Sequence, residues 1–103
     1  MPPKLHYWPI RGRVHPIMMI CVYAGVEFEF KGFDRDEWFG QAKPEMMKSV
    51  LNCSIPYVVD GDAKVCESLA VTQYMADAYK PELLGVTAGE RATTAQLSIQ
   101  IVE

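Results

Sequence analysis

Ile55-Pro56-Tyr57-Val58-Val59-Asp60-Gly61-Asp62-Ala63-Lys64-Val65-Cys66-Glu67-Ser68 is the stretch on which the fold turns. Two β-rich runs, Ile55 to Val59 and Ala63 to Glu67, flank Asp60-Gly61-Asp62, a tight turn of hairpin type. Ser68 then stands where a helix N-cap belongs. Apolar positions 71, 74, 75 and 78 share one face of a helix that runs to Tyr79, and Lys80-Pro81 breaks it. Two strands joined by a hairpin and followed by a helix form half of a small α/β unit.

Upstream, Lys4 to Trp8 is short and aromatic-rich, reads as a strand, and is closed by Pro9. Arg11-Gly12-Arg13 is a polar turn. Val14 to Tyr23 is a mostly apolar helix, with Pro16 in its first turn and Gly25 at its C-terminal stop. Val26 to Lys31 alternates apolar and charged residues, the period of a half-buried strand. Gly32 to Cys53 is weakly patterned; Trp38 and Phe39 anchor it and Pro44 to Leu51 reads as a short helix. The order β-α-β-α-β-β-α predicts an α/β sandwich, a mixed sheet with helices on both faces. Leu83 to Ala88 links this unit to a last helical pattern, Gly89 to Glu103, striped by Ala92, Ala95, Ile99 and Val102. The expected organisation is 1–80 as the sandwich, 81–88 as linker and 89–103 as the opening helix of a second, all-helical domain, inside which the sequence ends.

Composition narrows the function. The 103 residues carry 10 Lys plus Arg against 13 Asp plus Glu, a net charge of −3, which argues against a nucleic-acid partner. The longest apolar run, Ile17 to Ala24, is far short of the about 20 residues of a membrane span. The first residues hold no apolar core of a secretory signal. Cys21, Cys53 and Cys66 contain no Cys-x-x-Cys and read as buried small hydrophobes in a reducing, cytoplasmic setting. His6 and His15 have no metal-ligand partner pattern and read as surface or strand residues, so no metal is expected.

Leu5-His6-Tyr7-Trp8-Pro9-Ile10-Arg11-Gly12-Arg13 resembles the start of soluble glutathione transferases of the tyrosine type, the sigma, pi and mu classes. Tyr23-Ala24-Gly25-Val26, Trp38, Ile55-Pro56, Asp60-Gly61 and Glu67-Ser68-Leu69-Ala70 follow in the family's order. The likeness implies a thioredoxin-like βαβαββα sandwich, the glutathione-binding N-terminal half, followed by the start of an all-α domain. It also implies glutathione as co-substrate, a small electrophile as the second substrate, and a homodimer for the full-length family.

The resemblance makes Tyr7 the catalytic hydroxyl at the glutathione sulfur, whereas local sequence alone makes it a core aromatic. Ser68, by local sequence an N-cap, becomes a seat for the γ-glutamyl carboxylate at a helix N-terminus, and Glu67 a partner for the ammonium. Ile55-Pro56 corresponds to the family's cis-proline turn, where the residue before proline offers its backbone to the cysteinyl part. Trp38 and Lys43 correspond to the residues that hold the glycine carboxylate; otherwise they are a packing anchor and a solvated charge. Arg13 points toward the site and Arg11 is structural.

Three positions depart from the family pattern. Ser54 stands where Gln or Asn precedes the hydrophobic-Pro pair. Asn52 replaces the aromatic with which pi and mu proteins lock into a partner subunit. Gln96-Leu97-Ser98 stands where a run like Gln-Val-Asp supplies a charge. These departures keep open a non-catalytic glutathione-binding or crystallin-like module, and the sigma class also includes prostaglandin isomerases. A thioredoxin-type oxidoreductase would need a cysteine after the first strand, where Pro9-Ile10-Arg11-Gly12 stands.

Overall fold

The computed structural model describes residues 2–10, 12–50 and 52–102, the last two as backbone only. Arg11, read above as structural, lies outside the described residues, as do Leu51, Glu103 and the side chain of Val102.

Four strands form one sheet: β1 (Lys4–Tyr7), β2 (Glu29–Gly32), β3 (Tyr57–Asp60) and β4 (Ala63–Cys66). Their spatial order is β2-β1-β3-β4. β1 and β2 are parallel, as a helical crossover requires, while β1/β3 and β3/β4 are antiparallel. The helices are α1 (His15–Ala24), α2 (Arg35–Glu37), α3 (Lys43–Met46), α4 (Ser68–Tyr79) and α5 (Ala88–Val102).

Alternation along the central strands builds a core on each face. Leu5 and Tyr7 of β1 and Val58 of β3 pack with Val14, Ile17 and Cys21 around α1 and with Val71 and Met75 of α4. On the other face Tyr57 packs with Phe33, Trp38 and Cys53. His6, the β1 residue between Leu5 and Tyr7, stacks on Tyr57 at 4.1 Å and on Phe33 at 5.5 Å. This is the thioredoxin-like α/β sandwich, followed by one further helix.

The hairpin forms as its sequence predicts, with a two-residue turn, Gly61-Asp62, and Gly61 in the left-handed region. Gly25 also behaves as expected. At φ +71° it closes α1, its N–H donating to Val22 O and that of Val26 to Cys21 O, the paired bonds of a Schellman motif.

Three expectations need correction. The second strand runs over Glu29–Gly32 and not from Val26. Val26 has its amide committed to the α1 cap, so the ladder starts only where Glu29 N–H reaches Pro3 O. The helix expected over Pro44 to Leu51 begins much earlier. α2 passes through a wider π-type turn (Trp38–Ala42) into α3, which ends at Met46. Its start is a capping box: Asp34 Oδ1 accepts from Glu37 N–H at 2.8 Å, and Asp34 N–H donates back to Glu37 Oε1. Third, Ser68 is the first residue of α4 and not its cap; Glu67 occupies that position with φ +76° and no side-chain capping bond.

After α4, Pro81–Leu84 makes a 3-10 turn and Thr87 opens α5 with a second capping box, to Glu90. Leu97 and Ile99 of α5 remain about half exposed. Ala95 and Ile99, two members of the expected stripe, line a cleft of about 390 Å³ shared with Leu69 and Gln73 of α4. Among the described residues no helix is long and apolar enough to cross a membrane.

Candidate functional site

Tyr7 ends β1 and is 8 % exposed. The chain turns immediately after it, and Gly12 crosses the phenol ring so closely that a β-carbon there would lie 2.7 Å from Tyr7 Oη. Gly12 also has φ +41°, so both backbone and space exclude a side chain. The Arg13 backbone N–H donates to Tyr7 Oη at 3.4 Å. The phenol oxygen thus accepts from the main chain, and its own proton is left to donate elsewhere.

Gly12 and Arg13 form one wall of a cleft of about 380 Å³. Ser68 and Leu69 of α4 form another, and Ser98 of α5 closes part of it. The structure therefore brings Arg13 and Ser68 to one cavity; Tyr7 does not itself line it and approaches it only through Gly12, against which its hydroxyl packs. The Ser98 hydroxyl donates to Thr94 O at 2.9 Å and is spent on its own helix.

The Ile55–Pro56 peptide bond is cis, as the resemblance implies. Ile55 packs against both cores. Ser54 Oγ donates to Glu67 Oε1 at 3.4 Å, so the loop before the cis bond meets the junction between β4 and α4. This contact, flanked in sequence by Ile55-Pro56 and Ser68, makes a rim of which only Ser68 lines the cleft and in which Pro56 is buried.

Trp38 and Lys43 do not line that cleft. Trp38 is 3 % exposed and packs between Phe33 and Tyr57, which makes it a core anchor. Lys43 is half-buried, its ammonium 5.6 Å from the centroid of the exposed Phe39 ring. Arg35 lies over the same ring.

Two features were missed in the sequence. Gly12 is the residue that shapes the Tyr7 site; its signal was a glycine between two arginines, too common to be read alone. The second is a polar anchor: Tyr74 and Tyr79 of α4 donate to the same Asp60 oxygen, at 2.8 and 2.6 Å. Burial and the Asp60 bond push Tyr74 up to about 12, and the Asp60 bond with burial does the same for Tyr79. Asp60 belongs to the hairpin, so this anchor pins the β3–β4 turn to α4.

His6, read as a surface or strand residue, is a strand residue but 7 % exposed, with Nδ1 unpartnered among the described residues. Burial, with Lys4 nearby, lowers it to about 4, so the ring is neutral at physiological pH. Among the described residues no three His, Cys, Asp or Glu side chains are placed to hold a metal ion.

Comparison with known proteins points one way. The family described as "Glutathione S-transferase, N-terminal domain" matches residues 3–77. A class-mu 26 kDa glutathione S-transferase of Fasciola hepatica is 38 % identical over 100 residues, covering 94 % of this chain and 44 % of its own. A class-mu 26 kDa isozyme of Schistosoma mansoni is 36 % identical, covering 100 % of this chain and 52 % of its own. In fold, a hookworm glutathione S-transferase from Necator americanus, described as monomeric, superposes with a TM-score of 0.80 at 24 % identity, over 99 % of this chain and 46 % of its own. The chain spans about half the length of the curated relatives it matches.

Proposed function

The chain belongs to the glutathione S-transferase family, whose N-terminal domain it carries, and from that premise we propose that it binds glutathione and holds its sulfur as the thiolate for attack on a small electrophile. The observation that carries this reading is the Tyr7 hydroxyl, which accepts from Arg13 N–H and is pressed against Gly12, the residue through which it approaches the Ser68 cleft.

A free thiol with pKa about 8.5 is mostly protonated at pH 7. A neutral phenol that donates to the sulfur stabilises the thiolate more than the thiol, so the thiol proton passes to solvent and the anion stays bound. The sulfur then attacks the electrophile, and the Tyr7 proton remains on Tyr7.

The rest of the tripeptide lies along the rim. The γ-glutamyl carboxylate rests on the Ser68 hydroxyl and the N–H groups of the first turn of α4, and Glu67 pairs with the ammonium. The Ile55 backbone, held by Ser54 and the cis Pro56, takes the cysteinyl unit. Lys43 supplies a cation for the glycine carboxylate. Trp38 supports that end chiefly by packing, with at most its indole N–H reaching the ligand, and Arg13 faces the same cleft. Residues 1–80 form the glutathione-binding unit, 81–88 the linker and 89–103 the opening of a helical domain that would supply most of the electrophile site. We place the protein in the cytoplasm. Its assembly, a homodimer in much of the family, lacks an aromatic lock here because the position is Asn52.

One observation favours a second reading, a glutathione-binding module without turnover: the Ser98 hydroxyl, where the family pattern carries a carboxylate, is bound to Thr94 O. Calorimetry with glutathione and a conjugation assay with an aromatic electrophile separate the two. Binding with conjugation above background supports the transferase. Binding alone supports the module, and no binding removes both.

A further inference from the structure

Two cysteines share the core cluster behind the rim. Cys53 precedes Ser54, and Cys66 precedes Glu67. Ser54 and Glu67 are joined by a side-chain hydrogen bond at 3.4 Å. Cys66 is paired with Tyr57 across the hairpin, and both pack in the core cluster that holds Cys53. The Cys53 thiol donates to the carbonyl of its neighbour Ser54 at 3.8 Å, and both cysteines are free. They differ in exposure: Cys53 is 1 % exposed, whereas Cys66 is only half-buried.

We propose that Cys53 and Cys66 form a reversible intramolecular disulfide when the protein meets a hydroperoxide, stapling the Ser54–Pro56 loop to the Glu67-Ser68 junction. The accessible Cys66 sulfur attacks the terminal peroxide oxygen. The O–O bond breaks, the alcohol or water leaves, and Cys66 becomes a sulfenic acid. The Cys53 sulfur then attacks the Cys66 sulfur, the S–O bond breaks, and water leaves with the Cys53 proton. Two electrons pass from the thiol pair to the peroxide. Burial, with Cys66 beside it, pushes the Cys53 thiol up to about 11, which suits it to the second step and not the first. Cys21 sits in the other core, 1 % exposed, and serves as an internal control.

The test is treatment of the folded protein with hydrogen peroxide, then alkylation in denaturant and tryptic mapping. The expected product links peptide 49–64 to peptide 65–91 within one chain, leaves Cys21 alkylated, and returns to free thiols with dithiothreitol. Cys66→Ser should abolish the link and leave Cys53 reduced, whereas Cys53→Ala should leave a Cys66 sulfenic acid that dimedone traps. Cys53 and Cys66 both remaining alkylatable, Cys66 passing to sulfinic acid with Cys53 intact, or a bond to Cys21 or between chains would each overturn the assignment.

Discussion

A β-carbon on Gly12 would sit 2.7 Å from the hydroxyl oxygen of Tyr7. The glycine lets the chain fold back over the ring and bring Arg13 N–H to the phenol oxygen. Gly12→Ala combines a left-handed backbone angle with a steric collision. It should cost about 2–3 kcal/mol of stability and displace the ring. Urea denaturation reads the first effect and conjugation rate the second; an alanine variant equal to the parent in both would show that the contact is not needed.

Tyr7→Phe separates the hydroxyl from the ring. Packing against Leu5, Ile17 and Val58 is kept, so folding and glutathione affinity should change little. The pKa of bound glutathione should rise by about 2 units, equivalent to about 2.7 kcal/mol, with a roughly 100-fold loss of thiolate attack at neutral pH where the thiol is mostly protonated. Ultraviolet titration of the bound thiolate measures this directly. An unchanged titration would sink the proposed role of the hydroxyl.

The Asp60 anchor contributes to stability. Asp60→Ala removes the acceptor of two short bonds, to Tyr74 and Tyr79, and should cost about 2–3 kcal/mol given its partial exposure. The double variant Tyr74→Phe/Tyr79→Phe should lose no more when combined with Asp60→Ala than Asp60→Ala loses alone. Strict additivity in that denaturation cycle would rule out the shared anchor. Both phenols have raised folded pKa values, so their contribution holds below about pH 10 and fades as pH rises toward 12.

His6 gives an acid limb. Its folded pKa, lowered by burial to about 4, lies below the ordinary 6.5 of the unfolded chain. Between those values the unfolded state binds the extra proton, so stability is intact above pH 6.5 and falls as pH drops toward 4. The loss should be on the order of 2 kcal/mol, less than the full shift because the ring retains some hydration. His6→Phe should flatten that limb in denaturant midpoints measured from pH 7 to pH 4. A pH dependence as steep as the parent's would assign the limb to the carboxylates.

Local signals were legible where one residue type answers one geometric demand. Asp60-Gly61-Asp62 between two β-rich runs specified the hairpin, and Gly25 specified the end of α1, because only a few residues tolerate the left-handed turns used there. The Asp34-x-x-Glu37 capping box was equally local and marks a helix start that the weak apolar pattern of the segment concealed. The displaced strand start was not readable: Val26 and Phe28 keep a strand's alternation, yet they cover the α1 core before the ladder begins.

The sequence by itself determined the order of elements and two alternating faces, since periodicity and turn chemistry act between near neighbours in the chain. It also carried the family resemblance, through Tyr7, Ile55-Pro56 and Glu67-Ser68 in register. Only the tertiary structure decided which side chains share a space: Gly12 against Tyr7, Ser54 against Glu67, Ser98 opposite Arg13, and Asp60 beneath two tyrosines. Most of those pairs are more than ten residues apart. Their meeting depends on packing two cores against one sheet, a constraint that no short window of sequence contains.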